Sequence, residues 1–128
     1  MIEFHADFIA FEDAEDYWLV AFADQERHVK QYLMFQRAHE FDEQDRATGM
    51  DSYYVERDDQ AYSGYGGVAR VDLHPDRIVV RLDDTGERHL DARSVTVTFA
   101  RDGRRFGKLR RRLDKIFQGT SCLVVHPE

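Results

Sequence analysis

Tyr53, Tyr54, Tyr62 and Tyr65 place four of the six tyrosines in one short stretch, interleaved with Glu56, Asp58 and Asp59. Residues of these types could do two kinds of chemistry. Paired carboxylates can act as general acid and base. Alternatively, phenol rings supply large amphipathic contact area at low rotamer cost, and carboxylates beside them attract a partner's arginines and lysines. Surface carboxylates are mostly solvating groups, and the companions that catalysis needs are missing. The chain has no Gly-x-Ser-x-Gly elbow and no Cys–His signature. Gly64-Tyr65-Gly66-Gly67 leads into a strand pattern rather than a helix, so no helix N-terminus waits there for a phosphate. His5, His28, His39, His74, His89 and His126 show no metal-ligand spacing, and no CxxC accompanies them. No metal and no cofactor are expected. Binding is the better reading, and Tyr54, Glu56, Asp58, Asp59, Tyr62 and Tyr65 are the candidate partner-binding residues.

The elements that would carry these groups follow from periodicity. Ser52–Glu56 suits a strand with one of Tyr53 and Tyr54 inward and its neighbour outward. Asp58–Ser63 is the expected exposed tip, and Gly64–Gly67 a bent re-entry into the sheet. Upstream, Ile2–Phe11 alternates as one strand, with Phe4, Ala6, Phe8 and Ala10 on a common face. Tyr17–Ala23 is apolar on both faces, which suggests a strand covered on both sides. Val29–Arg37 alternates again, and Ala38–Asp51 reads as a polar, acidic loop with a helical turn near Asp42–Thr48 and a stop at Gly49.

Downstream, Val68–Leu73 and Ile78–Leu82 form a hairpin around His74-Pro75-Asp76. Asp83–Gly86 reads as a turn, and Ser94–Phe99 as a strand with Val95, Val97 and Phe99 inward. Phe106, Leu109, Leu113, Ile116 and Phe117 recur at helical spacing over about 103–118. A short strand is expected at Ser121–Val125. The fold class is therefore α+β: an antiparallel β-meander of about seven strands with one C-terminal amphipathic helix packed on the sheet. At 128 residues, with no repeat or linker, one domain over 1–128 is expected.

Charge is unevenly distributed. The formal total is −7, yet residues 101–115 hold eight Arg and Lys against two Asp. The remainder carries ten basic and twenty-three acidic residues, which disfavours nucleic acid as a general partner and favours basic proteins. The basic helix reads as a solvated or internally paired face, with a nucleic-acid-binding module as the competing reading. A small-molecule-binding or enzymatic domain is a third. One cysteine, Cys122, excludes an internal disulfide and suits a reducing compartment. The start of the chain does not look like a signal peptide, and no apolar run is long enough to span a membrane, so a cytoplasmic protein is expected.

The combination Tyr53-Tyr54-Val55-Glu56, Asp59-Gln60 and Gly64-Tyr65-Gly66-Gly67, followed by Asp76-Arg77-Ile78-Val79-Val80-Arg81-Leu82, resembles the immunity protein 10 family of bacterial polymorphic-toxin systems. The likeness spans about residues 15–117, and the basic content of the last helix stands outside it. The resemblance implies a small, non-catalytic cytoplasmic protein that binds and neutralises a cognate toxin domain, and leaves a homodimer open.

Overall fold

The computed structural model describes residues 1–127. It is α+β, with ten strands in two five-stranded sheets and three helices among those residues.

The first sheet is the expected antiparallel meander. Its strands are β2 (Phe8–Asp13), β3 (Tyr17–Ala23), β4 (Tyr32–Ala38), β5 (Tyr54–Arg57) and β6 (Asp59–Tyr65), paired in chain order. Alternation sets its inner face: Val20, Phe22, Leu33, Phe35 and Val55 are wholly buried. The second sheet is mixed, in the order β1-β9-β8-β7-β10, where β1 is Ile2–His5, β7 Val68–His74, β8 Arg77–Leu82, β9 Ser94–Thr98 and β10 Leu123–Val125. The β7–β8 hairpin and β9 stand where their patterns place them. Both edge strands pair in parallel, β1 with β9 and β10 with β7.

Two differences from the sequence reading have clear causes. The expected strand Ile2–Phe11 is two strands in different sheets, and the chain passes between them at Ala6-Asp7. The crossing inverts the phase. Phe4 and Ala6 are buried before it, whereas Ile9 and Phe11 pack on the core after it. Asp83–Gly86 begins a helix rather than a turn: α2 covers Asp84–Leu90, with Asp83 as N-cap accepting the Gly86 N–H at 2.9 Å. The helical turn after Asp42 is present as α1 (Glu43–Ala47), closed by a reciprocal capping box between Asp42 and Asp45.

Helix α3 (Gly103–Ile116) starts at the N-cap Asp102. Its Leu109, Leu113 and Ile116 are fully buried, and it packs against β3, β4 and β10. Phe117, just beyond it, meets the rings of Phe35 at 5.3 Å and Tyr53 at 4.8 Å. Burying each such side chain stabilises the fold by roughly 1.5–3 kcal/mol. Both sheets and α3 contribute to one contiguous hydrophobic cluster, bridged between the sheets by Phe22 and Phe99 at 5.8 Å. The inner face of the meander is thereby filled.

Candidate functional site

The same alternation that buries the odd-numbered residues of β4 and β5 turns their neighbours outward. Tyr17, Leu19 and Ala21 of β3 pair across to Ala38, Gln36 and Met34 of β4. Gln36 and Met34 pair with Tyr54 and Glu56 of β5, which in turn face Tyr65 and Ser63 of β6. With α3 on the opposite face, this side of the sheet is half-exposed. Tyr17–Ala23 is thus covered on one side only, not both. A hollow of about 490 Å³ opens on this face, lined by Tyr17, Met34, Gln36, Tyr54, Glu56 and Tyr65, with Asp16, Arg37 and Asp45 also contributing.

Glu56 organises the centre of this face. Its carboxylate accepts hydrogen bonds from the Tyr54 hydroxyl at 2.6 Å and from the Tyr32 hydroxyl. Partial burial, followed by these bonds to a carboxylate, pushes the pKa of both phenols above the ordinary tyrosine value. They therefore remain neutral donors. Tyr17 makes the equivalent bond to Glu12, which raises its pKa likewise. The Tyr54 and Tyr65 rings are tilted against each other at 5.2 Å. Arg37 is occupied elsewhere: its guanidinium donates to the Gln118 carbonyl at 2.8 Å and the Ile116 carbonyl at 3.2 Å, and it lies over Phe41. Its burial lowers its pKa, and its contacts satisfy carbonyls at the C-terminal end of α3.

The six sequence candidates divide into two groups. Tyr54, Glu56 and Tyr65 line the hollow together. Asp58, Asp59 and Tyr62 belong to the bulged corner between β5 and β6. Asp58 has φ +60°, accepts the Tyr32 N–H at 2.9 Å and pairs with Arg57 at 3.1 Å. Asp59 is exposed and accepts the Ala61 N–H at 2.8 Å. Tyr62 lies under the Arg57 guanidinium at 4.0 Å, and Arg57 donates to the Leu90 carbonyl of α2 at 2.6 Å. The residues missed by sequence reasoning are Tyr17, Tyr32 and Met34. Their signal was present in the alternation of β3 and β4, but local pattern cannot say which face a helix covers.

The glycine motif is structural. A Cβ on Gly64 would fall 2.0 Å from the His89 ring, and one on Gly67 would fall 2.6 Å from the Gly86 backbone. Gly67 also accepts the Asp83 N–H at 3.0 Å. These glycines let α2 sit against β6 and β8, and Gly66 and Gly67 both carry positive φ. Tyr53 reinforces the corner, since its buried hydroxyl accepts the Val68 N–H at 3.0 Å.

Elsewhere, the buried Asp72 of β7 is clasped by Arg70, Arg81 and His126 at 2.8–2.9 Å. Chiefly through Arg70, these donors hold its carboxyl far below the usual carboxylate range. His126 stacks flat on His74 at 4.4 Å. The group fastens the end of the chain to the second sheet. Among the described residues no cluster of three or more His, Cys, Asp or Glu could hold a metal, and no helix is long and apolar enough to cross a membrane.

The basic residues of α3 make no ion pair among the described residues. Several instead cover aromatic rings: Lys108 lies 4.5 Å above Phe11, and Lys115 5.6 Å above Trp18. Pairing with carboxylates is therefore not what is found; Arg105 and Arg112 donate to the Ala100 and Glu12 carbonyls, and the other cations are solvated or placed on rings.

The family model described as Immunity protein 10 matches residues 5–106, which takes in β2 to β9 and the first turn of α3. No curated protein and no solved structure matches the chain.

Proposed function

The chain belongs to the immunity protein 10 family, and from that premise we propose that it neutralises a cognate toxin domain by stoichiometric occlusion, using the outer face of the meander. Membership makes it a toxin immunity protein in general; action by binding, without turnover, is part of the proposal. What supports this face as the contact is that it is the uncovered side of a sheet whose other side is filled. It presents Tyr17, Tyr54, Tyr65 and Met34 around a hollow, with Tyr32 and Leu19 beside them, a composition found at the centre of protein interfaces. Glu56, Asp16 and Asp45 line that hollow, whereas Arg37 directs its charge to helix carbonyls, so a basic toxin surface is the complement. Asp59 and Tyr62, at the adjacent corner, form the margin of the same contact, and Asp58 shapes that margin from within. The buried, unpaired Cys122 is consistent with action in a reducing cytoplasm.

The test is calorimetric titration against the cognate toxin domain. One-to-one binding is expected, and the double variant Glu56→Gln, Tyr65→Ala should weaken it by at least about 2 kcal/mol, roughly 30-fold. Unchanged affinity with an unchanged melting temperature would place the contact elsewhere.

A further inference from the structure

Helix α3 carries a feature that toxin binding by the meander does not use. Arg104, Lys108, Arg111 and Lys115 recur at intervals of four, three and four residues, so they lie on one line along the helix. All four are exposed, and none pairs with a carboxylate among the described residues. At a rise of 1.5 Å per residue the line is about 16 Å long. Arg105 and Arg112 flank it over the rings of Phe99 and Phe11. Like charges at such spacing destabilise an isolated helix. They persist here in a chain with 25 acidic residues that could have neutralised them.

We propose that this stripe is a sequence-indifferent binding surface for the phosphodiester backbone of single-stranded nucleic acid. Two observations favour that occupant over an acidic protein. First, the stripe has no apolar centre: Leu109, Leu113 and Ile116 are buried, and the nearest rings, Phe11 and Trp18, lie beneath cations. A stable protein interface needs a desolvated apolar core, whereas phosphate contacts need only placed charge. Second, four of the six cations on and beside the line are arginines; Arg105 and Arg112 donate to the Ala100 and Glu12 carbonyls, whereas Arg104 and Arg111, each with a cationic neighbour at one helical turn, are disposed for bidentate contact with successive phosphates. Gly103–Ile116 contains no Asn or Gln to read base edges, so sequence preference is not expected. The acidic remainder of the chain confines contact to this one line. It also explains why net charge alone argued against nucleic acid: beyond about 8 Å, physiological salt screens the opposing charge.

The experiment measures anisotropy of a labelled oligothymidylate of about 20 nucleotides, and an RNA of equal length, against the full chain. Binding should fall roughly 50-fold between about 50 and 200 mM salt, as expected for four phosphate contacts to a single strand. The pair Arg104→Glu, Arg111→Glu touches no aromatic ring and should abolish binding while leaving the circular dichroism spectrum unchanged. The control pair Arg27→Glu, Arg88→Glu makes the same charge change at exposed sites off the stripe and should retain binding. No binding at low salt, equal loss in the control pair, or equally tight binding of polyglutamate of matched length would each overturn the proposal. None of these outcomes depends on whether the meander binds a toxin.

Discussion

At the scale of single residues, position decided what residue type could not. Asp58, Asp59 and Glu56 looked equivalent as carboxylates in a row, yet each has a different job. Asp58 sits in the left-handed region and fixes β4 to β5 through Tyr32 and Arg57. Asp58→Ala should lower stability by about 1–3 kcal/mol, because it leaves a part-buried N–H and a guanidinium without their acceptor. Asp59→Ala should stay within about 0.5 kcal/mol, as surface changes generally do. Chemical denaturation of the two variants checks the contrast. Asp72 gives a pH dependence whose sign is fixed. Its folded pKa is depressed, so its contribution is complete above its ordinary value of 3.8 and is lost as pH falls below it. His74 acts in the same direction: burial lowers its pKa, so protonation below its ordinary 6.5 opposes folding. Asp72→Asn should remove most of the stability gain between acid and neutral pH, at a cost of about 3 kcal/mol at neutral pH. An unaltered acid slope in that variant would show that another carboxylate dominates.

At the scale of elements, legibility followed locality. The β7–β8 hairpin, β9 and α3 were readable because period and turn chemistry reside in neighbouring residues. That one of Tyr53 and Tyr54 turns inward was readable for the same reason; that it is Tyr53 was not. Helix α2 was not, because its Asp83–Gly86 start looks like a turn and only Leu90, buried by tertiary packing, completes its apolar face. Nor could sequence show that Ile2–Phe11 changes sheets, or that β1 and β10 pair in parallel with strands remote in the chain. The role of Gly67 belongs at this scale, since it lies where two elements touch backbone to backbone. Gly67→Ala should cost about 2 kcal/mol or more, combining strain at positive φ with displacement of α2. Thermal melts should show it, while Gly49→Ala, with positive φ but open space around it, should cost less.

At the scale of the whole molecule, one core supports two surfaces of opposite character. Because both sheets and α3 share that core, Leu113→Ala should destabilise everything together, by about 2–5 kcal/mol in one cooperative transition. Separate transitions by fluorescence and circular dichroism would instead reveal two independently folding parts. The uncovered side of the meander gathers tyrosines and carboxylates, and α3 gathers the positive charge. Family membership says what kind of partner such a protein meets, and the proposed contact lies on the uncovered side of the meander. The sequence pointed to the stretch 53–67; the proposed contact is instead centred on the hollow where Tyr54, Glu56 and Tyr65 join Tyr17 and Met34.

That relocation is tested most directly by Met34→Arg. The substitution plants a cation in the hollow without touching the buried side of β4. Calorimetric titration with the cognate toxin domain should show binding weakened by about 3 kcal/mol, more than 100-fold, with the melting temperature held. Wild-type affinity for a folded Met34→Arg protein would contradict the outer face of the meander as the toxin-binding surface.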